Sequence, residues 1–258
     1  MKHSFIDVHS RLNSPIHRLD PRTKLLSALA FVLAVVLTPQ GHWQAYAAYF
    51  ALIMVATIMS HVPLGFVLKR SLAVEATVLI IVALTPFFKP GEAAFSHQVW
   101  FWQVSVSHAG LAIFWNTLAK AWLSILCLTL LTSTTQFTSL LLAMEKLKLP
   151  RSLVQTLSFM YRYIFILEEE AMRMVQARDG RNFGANRLWQ LRVVGHMASS
   201  LFVRSYERGE RVYTAMLARG FDGEVRTLHR LTLRTSDALF SALCLSALAA
   251  VTLLINYR

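Results

Sequence analysis

The hydrophobic residues of this chain fall into five apolar runs separated by polar segments. The runs cover residues 25–38, 43–60, 72–88, 109–131 and 238–257. A helix needs about 20 apolar residues to cross a bilayer, and the last four runs approach or exceed this length. The first run is shorter, so we expect it to begin earlier or to be tilted and partly buried by its neighbours. The pattern therefore predicts five membrane-spanning helices.

Basic residues are concentrated in alternate links between these runs. Five lysines and arginines precede the first run, Lys69 and Arg70 follow the second, and sixteen more lie between the fourth and the fifth. The links after the first and third runs contain only Lys89. Because positive residues stay on the cytoplasmic side, we expect the N-terminus in the cytoplasm and the C-terminus outside.

The runs and charges together predict three parts of the chain. Residues 1–131 form a membrane region with four transmembrane helices, residues 132–235 form a cytoplasmic region, and residues 236–258 form a fifth transmembrane helix. The predicted fold class is an all-α integral membrane protein, with about five transmembrane helices and two long amphipathic cytoplasmic helices.

Two amphipathic segments occupy the cytoplasmic region. From Pro150 onward, apolar residues recur at helical spacing over about 40 Å, with polar residues on another side. The second segment covers residues 197–218, with charges of both signs on one side. Its predicted apolar side contains Phe202, Tyr206, Tyr213 and Met216. Residues 182–186 are polar and contain a glycine, which predicts a turn between the two helices.

Both segments end on a similar short sequence. An arginine in a last helical turn faces the negative end of the helix dipole, and a following glycine favours the left-handed backbone that often ends helices. Because both endings lie on the predicted cytoplasmic side of the membrane, they suggest that two rigid helix ends bind a soluble partner. The endings are Ala177, Arg178, Asp179 and Gly180, and then Ala218, Arg219 and Gly220.

The formal charge of +12 admits three kinds of partner: anionic lipid, nucleic acid or an acidic protein. A surface that binds only lipid headgroups would avoid Glu168, Glu169 and Glu170, which precede the first ending. The arginines belong to no recognisable nucleic-acid-binding motif, so we expect no nucleic-acid partner. A docking surface for a soluble protein fits the pattern best.

The sequence contains no recognisable catalytic or metal-binding motif. It contains no glycine-rich phosphate-binding loop with its lysine, no paired catalytic carboxylates and no nucleophile beside a base. The histidines are scattered, and His97 and His108 lie in a predicted outer segment, so we expect no metal site. Cys127 and Cys244 lie in apolar runs and resemble small hydrophobic residues. We therefore predict that the chain is not an enzyme.

Two ionisable residues lie within the predicted spans. Glu75 is close to the cytoplasmic end of the third, and Lys120 is near the middle of the fourth, where an unpaired charge costs several kcal/mol. An intramembrane network that holds the spans together is the favoured role for them, and Asn116 and Thr117 are candidate partners of Lys120. The alternative is a self-sufficient channel or secondary transporter with Lys120 and Glu75 in its pathway.

Residues 205–223 resemble the signature of the transmembrane coupling subunit, or T component, of energy-coupling factor transporters. The string reads Ser-Tyr-Glu-Arg-Gly-Glu-Arg-Val-Tyr-Thr-Ala-Met-Leu-Ala-Arg-Gly-Phe-Asp-Gly. The resemblance extends through residues 19–24, 140–150 and 160–163 and is closest to the cobalt and nickel branch. Asp179 departs from the pattern, because the family usually has glycine or another small residue there.

The resemblance implies a non-catalytic subunit of an ATP-driven importer in a prokaryotic cytoplasmic membrane, with cobalt or nickel as the cargo. It implies that Arg178 and Arg219 dock into grooves on a pair of ABC-type ATPases, which bind the ATP, while Ala177, Ala218 and Gly220 permit close approach. It also implies a membrane-embedded subunit that captures the substrate and a small accessory membrane subunit. No cofactor is expected in this chain.

Overall fold

The computed structural model describes residues 14–85, 93–99, 102–181, 187–223 and 235–256. These residues form helices and one β-hairpin. In chain order the elements are α1 (Pro21–Leu37), α2 (Trp43–Ser60), α3 (Leu64–Val82), β1 (Ala93–Val99), β2 (Trp102–Ser107), α4 (His108–Thr134), α5 (Phe137–Lys146), α6 (Arg151–Asp179), α7 (Arg187–Ala218) and α8 (Thr235–Asn256).

The beginnings and ends of the first helices follow local sequence signals. The carboxylate of Asp20 accepts a hydrogen bond from the backbone N–H of Arg22 at 2.9 Å, and Pro21 occupies the first turn of α1. Helix α2 ends at His61, whose φ of 56° lies in the left-handed region. Because α3 begins at Leu64, Lys69 and Arg70 lie inside this helix rather than in a link.

The hairpin separates α3 from α4. Its strands are antiparallel, and the register pairs Ala93 with Ser107 and Val99 with Trp102. The helical class of the membrane protein is confirmed, but the prediction of a purely α-helical chain missed this hairpin. The alternation of polar and apolar residues over 102–107 is the period of a strand and was the signal for it.

Backbone contacts divide the chain into two compact units. One contains Ser4–Ala143 together with Leu231–Arg258, and the other is built on Met144–Arg230. The first unit thus joins the N-terminal helices to α8, and the second contains α6 and α7. The side of the membrane on which each unit lies stays a prediction.

The core of the first unit lies among α1, α2, α4 and α8. Val35 and Tyr49 are completely buried there, and Leu126 of α4 and Leu248 of α8 pack into the same cluster. The ring of Phe31 meets that of Tyr49 edge-on, with centroids 5.6 Å apart. Many other leucines and valines on these helices are exposed, as expected for surfaces that face lipid rather than water.

Three of the five predicted spans are long and apolar enough to cross a membrane. They are Trp43–Ser60, Gly110–Thr134 and Thr235–Leu253. Helix α1 has 17 residues, and α3 contains Lys69, Arg70 and Glu75. These two helices are therefore weaker candidates, and the count of five stays a prediction.

In the second unit, both predicted amphipathic helices are present. Helix α6 begins directly after Pro150 and ends at Asp179, close to the predicted limits. Helix α7 ends at Ala218 as predicted, but it begins at Arg187, ten residues before the predicted start at 197. The predicted turn at 182–186 lies outside the described residues.

Candidate docking site

Helix α7 ends in a Schellman motif. The backbone N–H of Phe221 donates to the carbonyl of Met216, and that of Gly220 donates to the carbonyl of Leu217, each at 3.0 Å. Gly220 has a φ of +80°, so the left-handed conformation expected after this helix is confirmed. The cap holds Arg219 on a fixed, exposed corner at the end of the helix.

Helix α6 ends differently. Gly180 has a φ of −65° and ψ of −16°, which is ordinary right-handed backbone, and its N–H donates to the carbonyl of Gln176 at 2.9 Å. The prediction of a left-handed glycine at this end was therefore wrong. The helical turn continues through Gly180, and a side chain at this position would be tolerated.

The two arginines differ in their surroundings. Arg178 is half-buried and donates from Nε and Nη2 to Oδ1 of Asp179, both at 2.8 Å. Arg219 is exposed and has no hydrogen-bond or ion-pair partner for its side chain among the described residues. Ala177, Ala218 and Gly220 are exposed beside them, so small residues surround both ends. Arg219 is thus available to a partner, whereas Arg178 must first give up Asp179.

Helices α6 and α7 run antiparallel. Arg204 of α7 donates to Glu170 of α6 at 2.6 Å, and farther back along α6 Gln155 donates to the backbone carbonyl of Gly223 at 3.1 Å. Contacts thus move to higher residue numbers on α7 as they move to lower ones on α6. Gly223 lies close to Arg219 in sequence, while Arg178 is 23 residues beyond Gln155, so the two arginines lie on the order of 35 Å apart.

A capped helix end at Gly220 gives the first testable prediction. Replacing Gly220 by alanine should cost about 1–2 kcal/mol, because a side chain is disfavoured at positive φ. Replacing Gly180 by alanine is the matched control and should change the stability by less than about 0.5 kcal/mol. Its Cβ would meet only the Gln176 carbonyl oxygen, at 3.4 Å. Amide hydrogen exchange at each helix end measures the effect, and equal effects of the two substitutions would contradict it.

An acidic residue joins α6 to α7. Glu170 accepts hydrogen bonds from Arg173 at 2.7 Å and from Arg204 at 2.6 Å. These bonds, followed by the positive charges themselves, hold the pKa of Glu170 below its usual range. The charged form of Glu170 therefore favours the packed helix pair.

The pKa of Glu170 gives a pH-dependent prediction. Because the folded-state pKa is depressed, its stabilisation is complete above the usual carboxyl value of about 4.3 and is lost as the pH falls through the lower folded-state value. Glu170→Gln should therefore speed amide exchange in α6 and α7 at neutral pH, and the difference from the unaltered chain should disappear in acid. Glu207→Gln is the control, since the ion pair that the structure describes for Glu207 is with Arg211 of its own helix, at 3.8 Å. A difference that persists in acid would refute this role.

An exposed aromatic stripe follows α7. Phe202, Tyr206 and Tyr213 are 72%, 68% and 53% exposed, and Leu217 continues the line. The sequence placed these aromatic residues on the apolar side of α7, but the α7 residues that line the cleft beside α6 are Ser205, Arg208, Gly209, Val212 and Met216. Met216 is the predicted apolar residue found in this lining. The stripe is therefore free to contact another protein.

Lys120 is held by helix α1. Its Nζ donates to the carbonyls of Val36 at 2.9 Å and Thr38 at 2.7 Å, where the end of α1 leaves carbonyls without helical partners. The suggested partners were wrong: Asn116 instead accepts a hydrogen bond from Tyr46 at 2.5 Å. The ammonium group thus caps the negative end of a neighbouring helix.

Lys24 of α1 caps the C-terminal end of α4 in a similar way, a contact that the sequence did not predict. Its Nζ donates to the carbonyl of Thr134, the last residue of α4, at 3.1 Å and to that of His17 at 3.2 Å. Lys24 is 6% exposed. Helices α1 and α4 are therefore antiparallel partners, and each supplies a lysine to the C-terminal end of the other.

Two buried carboxyl groups accompany Lys24. Asp237 of α8 accepts a hydrogen bond from the backbone N–H of Asp20 at 2.9 Å, and both carboxylates are close enough to attract Lys24 electrostatically. Residues 19–24 carried part of the family resemblance, which was the available signal for Asp20 and Lys24. Nothing in the local sequence indicated Asp237, because its partners lie more than 200 residues away.

Glu75 is placed differently from the two lysines. It is 7% exposed in α3, and neither carboxyl oxygen has a hydrogen-bond partner among the described residues. Ser71, one turn earlier, is also buried and donates to the backbone of Leu68. Lys120 and Glu75 therefore do not form an ion pair with each other.

The described residues contain no group of three or more histidine, cysteine or acidic side chains that could hold a metal ion. His108 is exposed at the start of α4, and the side chain of His97 lies outside the described set. The two ends of α6 and α7 are thus the part of the molecule whose geometry suits a partner.

A comparison with protein families shows the family of this chain. The model of the cobalt transport protein family, CbiQ, matches residues 12–229, which include both arginine ends and the helices between them. The chain belongs to this family. Its match extends over most of the chain rather than over one motif.

Relatives in the T-component group are similar over nearly the same length. The energy-coupling factor transporter transmembrane protein EcfT of Bacillus subtilis is 30% identical over 92% of this chain and 92% of its own. EcfT of Lacticaseibacillus paracasei is 29% identical over 85% of this chain and 86% of its own. A putative fused cobalt transport protein, CbiMQ, of Methanocorpusculum labreanum is 27% identical over 86% of this chain and 38% of its own. The resemblance to energy-coupling factor T components is therefore confirmed, and this CbiQ-family chain is a membrane component of such transporters.

Proposed function

We propose that this chain is the non-catalytic coupling subunit of an ATP-driven importer. In this role, Arg178 and Arg219 dock into two separate ABC-type ATPases, which bind and hydrolyse the ATP. The observation that carries the proposal is the antiparallel pairing of α6 and α7, which puts the two arginines at opposite ends of one helix pair. A separation on the order of 35 Å suits two separate protein partners better than one small ligand.

The docking chemistry is that of an arginine on a rigid support. A guanidinium group paired with a carboxylate forms short, charge-assisted hydrogen bonds worth about 1.5–3 kcal/mol, and its planar shape fixes the direction of contact. When ATP draws the two ATPases together, both helix ends move with them. The helix pair then transmits this motion to the membrane subunit that contacts it.

The exposed stripe of α7 is the proposed contact for a second partner. Phe202, Tyr206 and Tyr213 present large apolar surfaces that water solvates poorly. A membrane-embedded subunit that captures the substrate would cover this stripe and be reoriented as the helices move. A small accessory membrane subunit completes the proposed complex, and this chain itself holds no cofactor.

The proposed topology has five spans in a prokaryotic cytoplasmic membrane. The N-terminus and residues 132–235 face the cytoplasm, where the ATPases are, and the C-terminus lies outside. Helices α1 and α3 complete the five, since the exposed Leu29 and Ile80 on them suit contact with lipid. The hairpin between α3 and α4 would then lie on the outer side.

Cobalt is the proposed cargo, with nickel as the alternative. The family description and the printed name of the Methanocorpusculum relative both refer to cobalt transport, which favours it. The ligands of the ion are expected in the substrate-capturing subunit. Competition between the two ions in an uptake assay with the complete complex distinguishes them.

A second candidate function is a channel or secondary transporter that works alone. The buried carboxyl group of Glu75, without a hydrogen-bond partner among the described residues, is the observation that favours it. Proteoliposomes test both functions. The coupling role predicts cobalt uptake only with ATPases, substrate-capturing subunit and ATP together. Cobalt movement through the purified chain alone, without ATP, would refute it.

A further inference from the structure

A cleft of about 430 Å³ lies between α6 and α7. This volume is in the range of about 300–1,000 Å³ that is usual for ligand pockets. Most of its walls are apolar, and the two methionines adapt readily to different occupants. The apolar lining residues are Phe159, Met160, Leu167, Val212 and Met216.

Among the described residues that line this cleft, Arg208 is the one charged side chain. It is half-buried, and no acidic residue lines the wall that α6 presents to it. The neighbours one turn away along α7 include two more arginines, and these already have partners: Arg204 pairs with Glu170 and Arg211 with Glu207. Arg208 has no such partner among the described residues. A partly buried cation among other cations favours an anion in the cleft.

The polar groups near Arg208 suit the same kind of occupant. Tyr163 of α6 and Ser205 of α7 line the cleft and offer hydroxyl groups. Gly209, the next residue, leaves open space, since a Cβ built there would meet no atom within 4 Å. The cleft therefore combines a half-buried guanidinium with an apolar channel that has room for a chain.

We propose that this cleft binds an anionic glycerophospholipid, with the phosphate on Arg208 and an acyl chain along the apolar walls. Phospholipid is the amphiphile that a membrane protein meets at the highest concentration, and anionic lipids are enriched at cytoplasmic membrane surfaces. The planar guanidinium suits the bidentate geometry of a phosphate group. The site does not rest on the docking of ATPases, because Arg178 and Arg219 lie outside the cleft.

The test counts bound lipid. The full chain is reconstituted in nanodiscs of phosphatidylcholine with some phosphatidylglycerol, extracted gently, and weighed by native mass spectrometry. Arg208→Gln removes the phosphate partner, and Gly209→Leu fills the channel without touching Arg208. Arg211→Gln is the matched control, since it removes an arginine one turn away that lies outside the cleft lining. Helical circular dichroism checks that every variant is folded.

We expect the unaltered chain and Arg211→Gln to retain one phosphatidylglycerol in preference to phosphatidylcholine. Arg208→Gln and Gly209→Leu should each lower that retention about tenfold or more, as loss of one charge-assisted contact or of the chain's space predicts. Equal retention by all four proteins would overturn the proposal. So would full displacement of the lipid by inorganic phosphate, because the site would then bind a small anion only. Retention by Gly209→Leu at the level of the unaltered chain would overturn the acyl-chain part.

Discussion

Exchanging both Arg178 and Arg219 for glutamate should remove the ATPases from the purified complex while leaving the chain inserted in the membrane. Each arginine–carboxylate contact is worth about 1.5–3 kcal/mol, and two distant contacts add to about 3–6 kcal/mol. The expected loss of affinity is therefore roughly a hundredfold to ten-thousandfold, before the repulsion from the new glutamates. Co-purification of tagged chain with the ATPases measures it.

A matched double variant controls for net charge. Arg162 of α6 and Arg211 of α7 are exposed on the same two helices, at least about two helical turns before the docking arginines, and exchanging both for glutamate changes the charge by the same amount. That control should retain the ATPases. If the docking variant keeps its ATPases at the original yield, or if the control loses them equally, specific docking by Arg178 and Arg219 is refuted.

Arg178 and Arg219 should contribute unequally to the binding of the ATPases. Arg219 has no side-chain partner to release among the described residues, whereas Arg178 already donates twice to Asp179 at 2.8 Å. We therefore expect Arg219→Glu alone to weaken docking more than Arg178→Glu alone.

The second large effect is expected from Lys24→Met. Lys24 is buried against two backbone carbonyls and attracts Asp20 and Asp237. Removing the cation takes its attraction away from two buried carboxylates, and losing the opposite charge from a buried group of charges costs about 3–5 kcal/mol. The free energy of unfolding, measured by denaturing-detergent titration, should fall by that amount.

Lys120→Met provides the comparison for that experiment. Lys120 donates to two carbonyls at the end of α1, but the structure describes no carboxylate paired with it. Its loss should cost about 1–3 kcal/mol, because two carbonyls at the end of α1 would lose their donor. A larger cost for Lys120→Met than for Lys24→Met would contradict the role assigned to the two carboxylates.

The sequence predicted those structural features that depend on the pattern of neighbouring residues. The limits of α6, the end of α7 at Ala218 and the left-handed Gly220 follow from apolar periodicity and from a glycine after a helix. Gly180 shows the limit of this reasoning, because the same residue type continued the helical turn there. The choice between the two conformations depends on hydrogen bonds, such as that from Gly180 to Gln176, that the residue type does not determine.

Features that depend on distant contacts could not be predicted in the same way. The sequence grouped Phe202 and Tyr206 on one apolar side of α7, but it did not indicate whether that side packs against α6. The structure instead packs smaller residues such as Gly209 and Val212 against α6. The partners of Lys120 and Lys24 are backbone carbonyls on other helices, and carbonyls carry no sequence signal.

The most direct test of the coupling role is gentle purification of the unaltered chain from its native membranes, with mass-spectrometric identification of every protein that co-elutes. The account predicts an ABC-type ATPase pair together with a second membrane protein that captures the substrate. Recovery of the chain alone, under conditions that preserve other membrane complexes, would contradict it.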